Sequence, residues 1–317
     1  MNRIVRVAAI QSVSLNGGLL ENLSHLDAFV AEAKCKGAQI VLLPEFISTG
    51  FELNDLIWES AEPSHGPTVQ WLQEQASKHA IWIGTSYLEA DGSRFFNTFV
   101  MMDADGKVAA RIRKGKPAAT ESYFFEGDPS NRVVKTPFGN IGISICYESF
   151  FASTVKELQD NRADLVLIPM SAPTPSLNPP VTQKDLNEYD TAVKDLATVM
   201  AIDLGVPVVM ANKTGAWKTK PPFPFPMEDS SFPGFSCIAD GDGQVVAALG
   251  DEEGIVIGNI SMNPEKKKTV LPKMCGKWTH KPPRLFKLFI ISEFLGKLKY
   301  RLSLKRRKMA RIKSQQA

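Results

Sequence analysis

The chain has 317 residues, 44% hydrophobic and 22% charged, with a formal net charge of +3. This is ordinary globular composition, ample for a large core, and one domain of about 270 residues with an appendage fits better than two equal domains. Four cysteines (Cys35, Cys146, Cys237, Cys275) without paired spacing or a Cys-x-x-Cys indicate neither a disulfide framework nor a zinc site.

The start, Met1-Asn2-Arg3-Ile4-Val5-Arg6-Val7, enters a strand pattern at once and lacks a long apolar signal region. No run reaches the roughly 18 apolar residues of a transmembrane helix. A cytoplasmic protein is expected. Residues 21–36 read as a helix closed by Gly37. Ile40-Val41-Leu42-Leu43-Pro44-Glu45-Phe46 reads as a strand buried on both faces, stopped by Pro44, with Glu45 just past its carboxyl end. In open α/β sheets that edge is where ligands bind.

Residues 67–79 read as a second helix with Pro67 in its first turn. Strands over 81–88 and 95–102 flank Asp91-Gly92 as a hairpin, and another turn follows at Asp105-Gly106. A basic stretch, Arg113-Lys114-Gly115-Lys116-Pro117, leads to Glu121 and Glu126. Ile141, Ile143 and Ile145 then alternate with Gly142, Ser144 and Cys146, a period-2 strand pattern that gives way to a helical one over 149–159. A thiol at the end of a strand where a helix begins is expected to feel the pKa-lowering field of the helix N-terminus. Taken singly, these features read as a buried cysteine, a loop carboxylate and a solvated basic turn.

Taken in order, they resemble the nitrilase superfamily, the carbon–nitrogen hydrolases with a catalytic glutamate, lysine and cysteine. Pro-Glu-Phe matches the glutamate motif at Glu45, Arg-Lys the lysine motif at Lys114, and Cys-Tyr-Glu the cysteine motif at Cys146. The short separation of Lys114 from Cys146 is similar to the branch in which a second glutamate orients the lysine. Glu121 matches that position, with Glu126 as the other candidate. The resemblance extends over residues 4–265 and implies an α/β fold, a four-layer αββα sandwich with the catalytic residues meeting at one edge of the sheets. It includes strands over 5–11, 164–170, 206–212 and 234–240, the third fed by a long helix over 185–204.

The residue types fit amide hydrolysis, which needs a nucleophile, a proton shuttle and positive charge beside the oxyanion. None of the four histidines (His25, His65, His79, His280) has a strand-end setting like that of Glu45, although a Cys–His pairing across the fold stays open. Glu45 can serve as base if a water-poor site raises its pKa from about 4.3 toward neutrality. Lys114, kept cationic by Glu121, would polarise the carbonyl, with the Tyr147 N–H as second donor, and a thioester would form. Tyr147, Met170 and Ser171 are the expected substrate contacts, and neither cofactor nor metal is expected.

Superfamily nitrilases usually carry Trp after the nucleophile, so Tyr147 leans toward an amidase or carbamoylase, while Lys116-Pro117 looks nitrilase-like. The expected partner is a small amide or nitrile, in a homo-oligomeric enzyme. Acyl transfer to an amine or alcohol, and an inactive membrane-docked binding protein, are the other readings. Two proline-rich loops, 171–180 and 221–233, follow strand ends, and Phe223, Phe225 and Phe232 are candidates for an apolar pocket wall or for a subunit contact.

The tail departs from the family core. Residues 272–317 hold 14 Lys and Arg against one acid, Glu293, a charge of +13; with +3 for the chain, residues 1–271 carry −10. Within it Leu288, Ile291, Leu295, Leu298 and Leu302 make one apolar stripe, widened by Phe286, Phe289, Ile290 and Phe294. The expected division is a hydrolase domain over 1–271, able to stand alone after truncation, and a basic amphipathic extension over 272–317. Residues 282–308 would lie on an anionic membrane surface or pack on the body or a sister subunit. Nucleic-acid binding would leave the stripe unexplained, and no recognition motif is present. Residues 309–317 are expected to be disordered.

Overall fold

The structure, a computed structural model, describes residues 3–128 and 131–316; Met1, Asn2 and Ala317, which the readings above touch, lie outside the described residues. The first half runs β1 (Arg3–Gln11), α1 (Leu19–Cys35), β2 (Ile40–Glu45), α2 (Pro67–His79), β3 (Trp82–Asp91), β4 (Arg94–Met102) and β5 (Val108–Arg113). The second begins β6 (Val133–Thr136), β7 (Gly139–Ile143), α3 (Ala152–Asp160), β8 (Leu165–Pro169), α4 (Gln183–Leu204) and β9 (Val208–Ala211). It continues β10 (Thr214–Thr219), β11 (Glu228–Pro233), β12 (Cys237–Ala239), β13 (Val245–Ala248) and β14 (Gly254–Met262), and ends with α5 (Arg284–Leu302) and α6 (Leu304–Ser314).

Two six-stranded sheets form, in the orders β14-β1-β2-β3-β4-β5 and β13-β12-β9-β8-β7-β6. Each has a parallel trio at its centre, β1-β2-β3 and β7-β8-β9, flanked by antiparallel strands. Alternation along the strands explains the layering. In β1 and β2, Ala8, Ile10, Val41 and Leu43 pack with Leu23, Leu26, Val30 and Leu72 of α1 and α2. Their neighbours Val7, Ala9, Ile40 and Leu42 join Ile141, Ile143, Leu167 and Val209 of the other sheet and Val193, Leu196 and Met200 of α4. The result is the four-layer αββα sandwich, with residues 40–43 buried on both faces.

Several local expectations shift. The strand that precedes the cysteine ends at Ile143, and Cys146 opens a 3-10 turn, Cys146–Phe150, before α3. Residues 228–233 are not loop: β11 pairs antiparallel with β10 as a two-stranded ribbon. Phe223 is exposed and Phe232 packs on Phe51 and Trp217, so of the three phenylalanines Phe225 alone lines the cavity described below.

The tail differs most. Residues 282–308 are not one helix but parts of two, broken at Ser303, whose hydroxyl accepts from the Arg306 N–H and caps α6. Residues 309–314 are helical, with Ala310 buried, where disorder was expected. The body-facing side of α5 is Leu285, Phe286, Ser292, Gly296 and Tyr300, whereas Ile291, Leu295, Leu298 and Leu302 of the expected stripe are exposed.

The contact is close because Gly296 has no side chain. A Cβ there would stand 2.6 Å from Tyr123 Cδ2 and 2.9 Å from Ser122 Cβ. Tyr300 Oη accepts from the Phe95 N–H at 2.9 Å, and Arg284 donates to Asp185 at 2.9 Å. The extension after 271 is thus packed on the body along much of its length.

Candidate active site

Glu45, the last residue of β2, is fully buried, and its N–H donates to the Met170 carbonyl at the end of β8, tying the two sheets together. Lys114 follows β5, held by its N–H to the Asn97 carbonyl of β4 at 2.8 Å. Its Nζ donates to Glu45 Oε1 at 2.8 Å and to Glu121 Oε2 and Oε1 at 2.9 and 3.1 Å. Glu121 is fixed in turn by the Ala118 N–H, 2.6 Å from Oε2. Glu126 stands apart and pairs with Arg94.

Cys146 sits at φ 54° and Phe46, directly after Glu45, at φ 51°. Both are left-handed conformations that L-residues hold only when the surroundings impose them, and such strain concentrates at functional turns. Glu148 does much of the imposing. Its carboxylate accepts from the N–H groups of Ile145 at 2.9 Å and Gly115 at 2.8 Å, and from Arg132. One buried side chain thus ties the turn of Cys146 to the loop of Lys114.

The electrostatics follow from burial with one cation between two acids. Burial pulls the Lys114 ammonium down, but the Glu121 and Glu45 carboxylates outweigh it and hold its pKa well above the ordinary value. Burial raises Glu121 to about 7 against the pull of Lys114, because one cation cannot compensate two buried carboxylates. Burial, then the charge of Glu45, pushes the Cys146 thiol well up, with Lys114 and the Ser171 backbone N–H opposing. The expected lowering by a helix N-terminus is not found. The helix there is one short 3-10 turn, and desolvation outweighs its field.

A cavity of about 370 Å³ opens over Cys146. Tyr147, Met170 and Ser171 line it, with Glu121, Ala118, Phe225, Trp217 and Tyr189. Leu285, Phe286, Leu288, Phe289 and Ile291 of α5 form one wall. Tyr147 carries much of that docking, with its ring edge-on to Phe151, Trp278, Phe286 and Phe289. No histidine among the described residues lines this cavity.

Four residues escaped the sequence reading. Asn97 Nδ2 donates to Glu45 Oε1 at 2.6 Å, leaving Glu45 Oε2 buried without a hydrogen-bond partner. Lys213, fully buried, donates to the Phe46 carbonyl at 2.9 Å, and burial lowers it to about 7. Glu148 and Arg132 form the clamp. Asn97 in Phe95-Phe96-Asn97-Thr98-Phe99 and Lys213 after Val208–Ala211 did carry a signal, a polar residue inside or directly behind an apolar strand.

The family model for carbon–nitrogen hydrolases matches residues 6–265. The chain is 25% identical to an N-carbamoylputrescine amidase of Solanum lycopersicum over 299 residues, 91% of this chain and 96% of that protein. It is 31% identical to a nitrilase of Pyrococcus abyssi over 179 residues, 54% of this chain and 67% of that one. The crystal structure of an amidase from Nesterenkonia sp. superposes with a TM-score of 0.68 at 21% identity, covering 84% of this chain and 93% of that one. With a matching sequence over most of its length and the same two-sheet architecture, this chain belongs to the carbon–nitrogen hydrolase family.

Proposed function

We infer that the protein hydrolyses an amide through a thioester on Cys146. The observation that carries this reading is the buried Glu45–Lys114–Glu121 ion triad, whose Glu121 lines the cavity together with a strained cysteine. A thiol pushed up by burial is protonated at rest, so attack needs a base. Glu45 accepts that proton as sulfur bonds to the carbonyl carbon. The Lys114 ammonium and the Tyr147 N–H then face the oxyanion. As the C–N bond breaks, Glu45 returns the proton to the leaving nitrogen. Glu45 next deprotonates water, which attacks the thioester, and the acid leaves while sulfur regains its proton.

Support comes also from the relatives. A structure of a variant of the Nesterenkonia amidase shows the acetamide moiety of fluoroacetamide covalently added at the active-site cysteine. Tyr147 favours amides over nitriles, and its position under α5 leaves it a wall of the acyl pocket. The test is turnover of a panel of primary amides, N-carbamoyl compounds and nitriles, with intact-mass detection of the adduct. An acyl mass on wild type and none on Cys146→Ser supports the assignment. Turnover without any adduct dependence on Cys146 overturns it.

A further inference from the structure

The wall of the cavity and the outer surface of the molecule are made by the same helix. Leu288 and Ile291 of α5 line the cavity, and Ile291 is also 65% exposed, so it stands at the rim. From there Phe294 (71% exposed), Leu295, Leu298 and Leu302 continue along the outward face of α5, and Leu304 follows at the start of α6. Across the mouth, Leu177 and Phe223 are exposed within the two proline-rich loops whose neighbouring residues, Ser176 and Phe225, line the cavity. A row of exposed apolar residues along one helix face, ending at a cavity rim, is the pattern of an interaction site.

Charge selects the occupant. Lys287, Lys297, Arg301 and Lys308 lie exposed along the apolar residues, and among the described residues no acid pairs with any of them. A second copy of this face would bring like charges together, whereas an anionic lipid surface complements both the apolar stripe and the basic flank. No helix among the described residues is long and apolar enough to cross a membrane, so such docking lies on the surface. The cavity interior agrees on substrate chemistry. Its charged lining residues are Glu121, engaged by Lys114, and Glu228, engaged by the Ser176 N–H, and no Lys or Arg lines it to receive an anionic substrate.

We propose that α5 docks the enzyme on anionic membranes and that the substrate is an uncharged amide with a long acyl chain, drawn from the bilayer past Ile291 to Cys146. This rests on the hydrolase reading above. The reaction balances as before: the acyl carbon is transferred from nitrogen to sulfur to water, releasing a fatty acid and ammonia from a primary amide.

The test uses full-length protein, vesicles of phosphatidylcholine with or without phosphatidylglycerol, and two substrates, butyramide in solution and dodecanamide in the vesicles. Wild type is expected to sediment with the anionic vesicles alone and to be released by salt. Its dodecanamide turnover should rise by roughly tenfold or more when phosphatidylglycerol is present. Phe294→Glu with Leu298→Glu should abolish sedimentation and that gain while leaving butyramide turnover unchanged.

If wild type hydrolyses butyramide but ignores anionic vesicles, or handles dodecanamide equally in both vesicle types, the inference is wrong and the hydrolase reading stands. A dimer that the double variant splits to monomers also overturns it, because a second copy is then the occupant. If no amide is turned over while the vesicles are bound, the hydrolase reading falls and the substrate assignment with it.

Discussion

At the scale of single residues, the site depends on one proton too few for its charges. Lys114 bridges Glu45 and Glu121 with all three buried, and the compensation deficit appears as the Glu121 value of about 7. Below about 7 the Glu121 carboxyl is protonated and holds Lys114 less firmly, so kcat/KM of wild type should fall as pH drops through that value. Glu121→Gln keeps the shape and removes the titration. It should raise the barrier by about 1.5–3 kcal/mol, the worth of a hydrogen bond to a charged group, leave KM nearly unchanged, and erase the acid limb. A limb that persists in the variant assigns it to another group. Cys146→Ala should eliminate turnover with an unchanged melting temperature, because it removes one sulfur at the cavity floor and leaves the Glu148 clamp in place. Activity within tenfold of wild type would rule out the nucleophile.

Among the elements, α5 is where stability and substrate access meet. It is fastened by Gly296 on Ser122 and Tyr123, by Tyr300 on Phe95 and by Phe286 on Tyr147, next to Cys146. Ser122 and Tyr123 belong to the same 3-10 turn as Glu121, so the helix rests on the residues that hold the lysine's partner. Gly296→Leu drives a side chain into that turn. Overpacking of this kind costs about 1–3 kcal/mol, and here it should lower the melting temperature and raise KM together. Because α5 supplies a cavity wall, truncation after Leu271 is now expected to cost activity as well as expose Tyr147. Unchanged kinetics in either variant would show that the wall takes no part in substrate binding.

At the scale of the whole molecule, the pH response of folding gathers at buried acids. Glu62, 4% exposed, accepts from the N–H and hydroxyl of Thr68 at the start of α2, and burial raises it from 4.5 to about 7. A raised carboxyl binds its proton more tightly in the folded chain than in the unfolded one. Its contribution is therefore fully present below about pH 4.5 and is lost as pH rises through about 7, on the order of 3 kcal/mol. Denaturant unfolding between pH 5 and 7.5 should show this falling trend, and Glu62→Gln should flatten part of it. A variant with the wild-type slope would mean that Glu62 is ionised in the folded protein. The charge distribution is the other global property, −10 over residues 1–271 and +13 over 272–317. Few of the tail's cations meet the body's acids. Lys305 with Asp55 and Arg284 with Asp185 are ion pairs between them, Arg306 is buried and donates to the Ser93 carbonyl, and Lys287, Lys297, Arg301 and Lys308 are exposed.

The local sequence determined the alternating elements and the buried strand that carries Glu45, since these depend on periodicity nearby in the chain. Lys114 and Cys146 were marked by the family resemblance, while the structure runs β2 through Pro44 to Glu45 and ends the strand before Cys146 at Ile143. The family resemblance pointed to Glu121 with Glu126 as the other candidate, and the tertiary structure supplied the two hydrogen bonds to Lys114 that distinguish Glu121. What the local sequence did not determine depends on residues far apart in sequence. Asn97 reaches Glu45, and Glu148 joins Gly115 to Ile145, only after β4, β5 and β7 have been placed by two different sheets. The direction of the thiol's pKa was likewise decided by burial, which no short segment encodes. The tail shows the limit most clearly. Both sides of α5 are apolar, so periodicity found a stripe but could not say which side faces the body. The close fit at Gly296, the Tyr300 hydrogen bond and the aromatic cluster on Tyr147 made that choice, and they turned Leu295, Leu298 and Leu302 out toward solvent while Leu288 and Ile291 line the cavity.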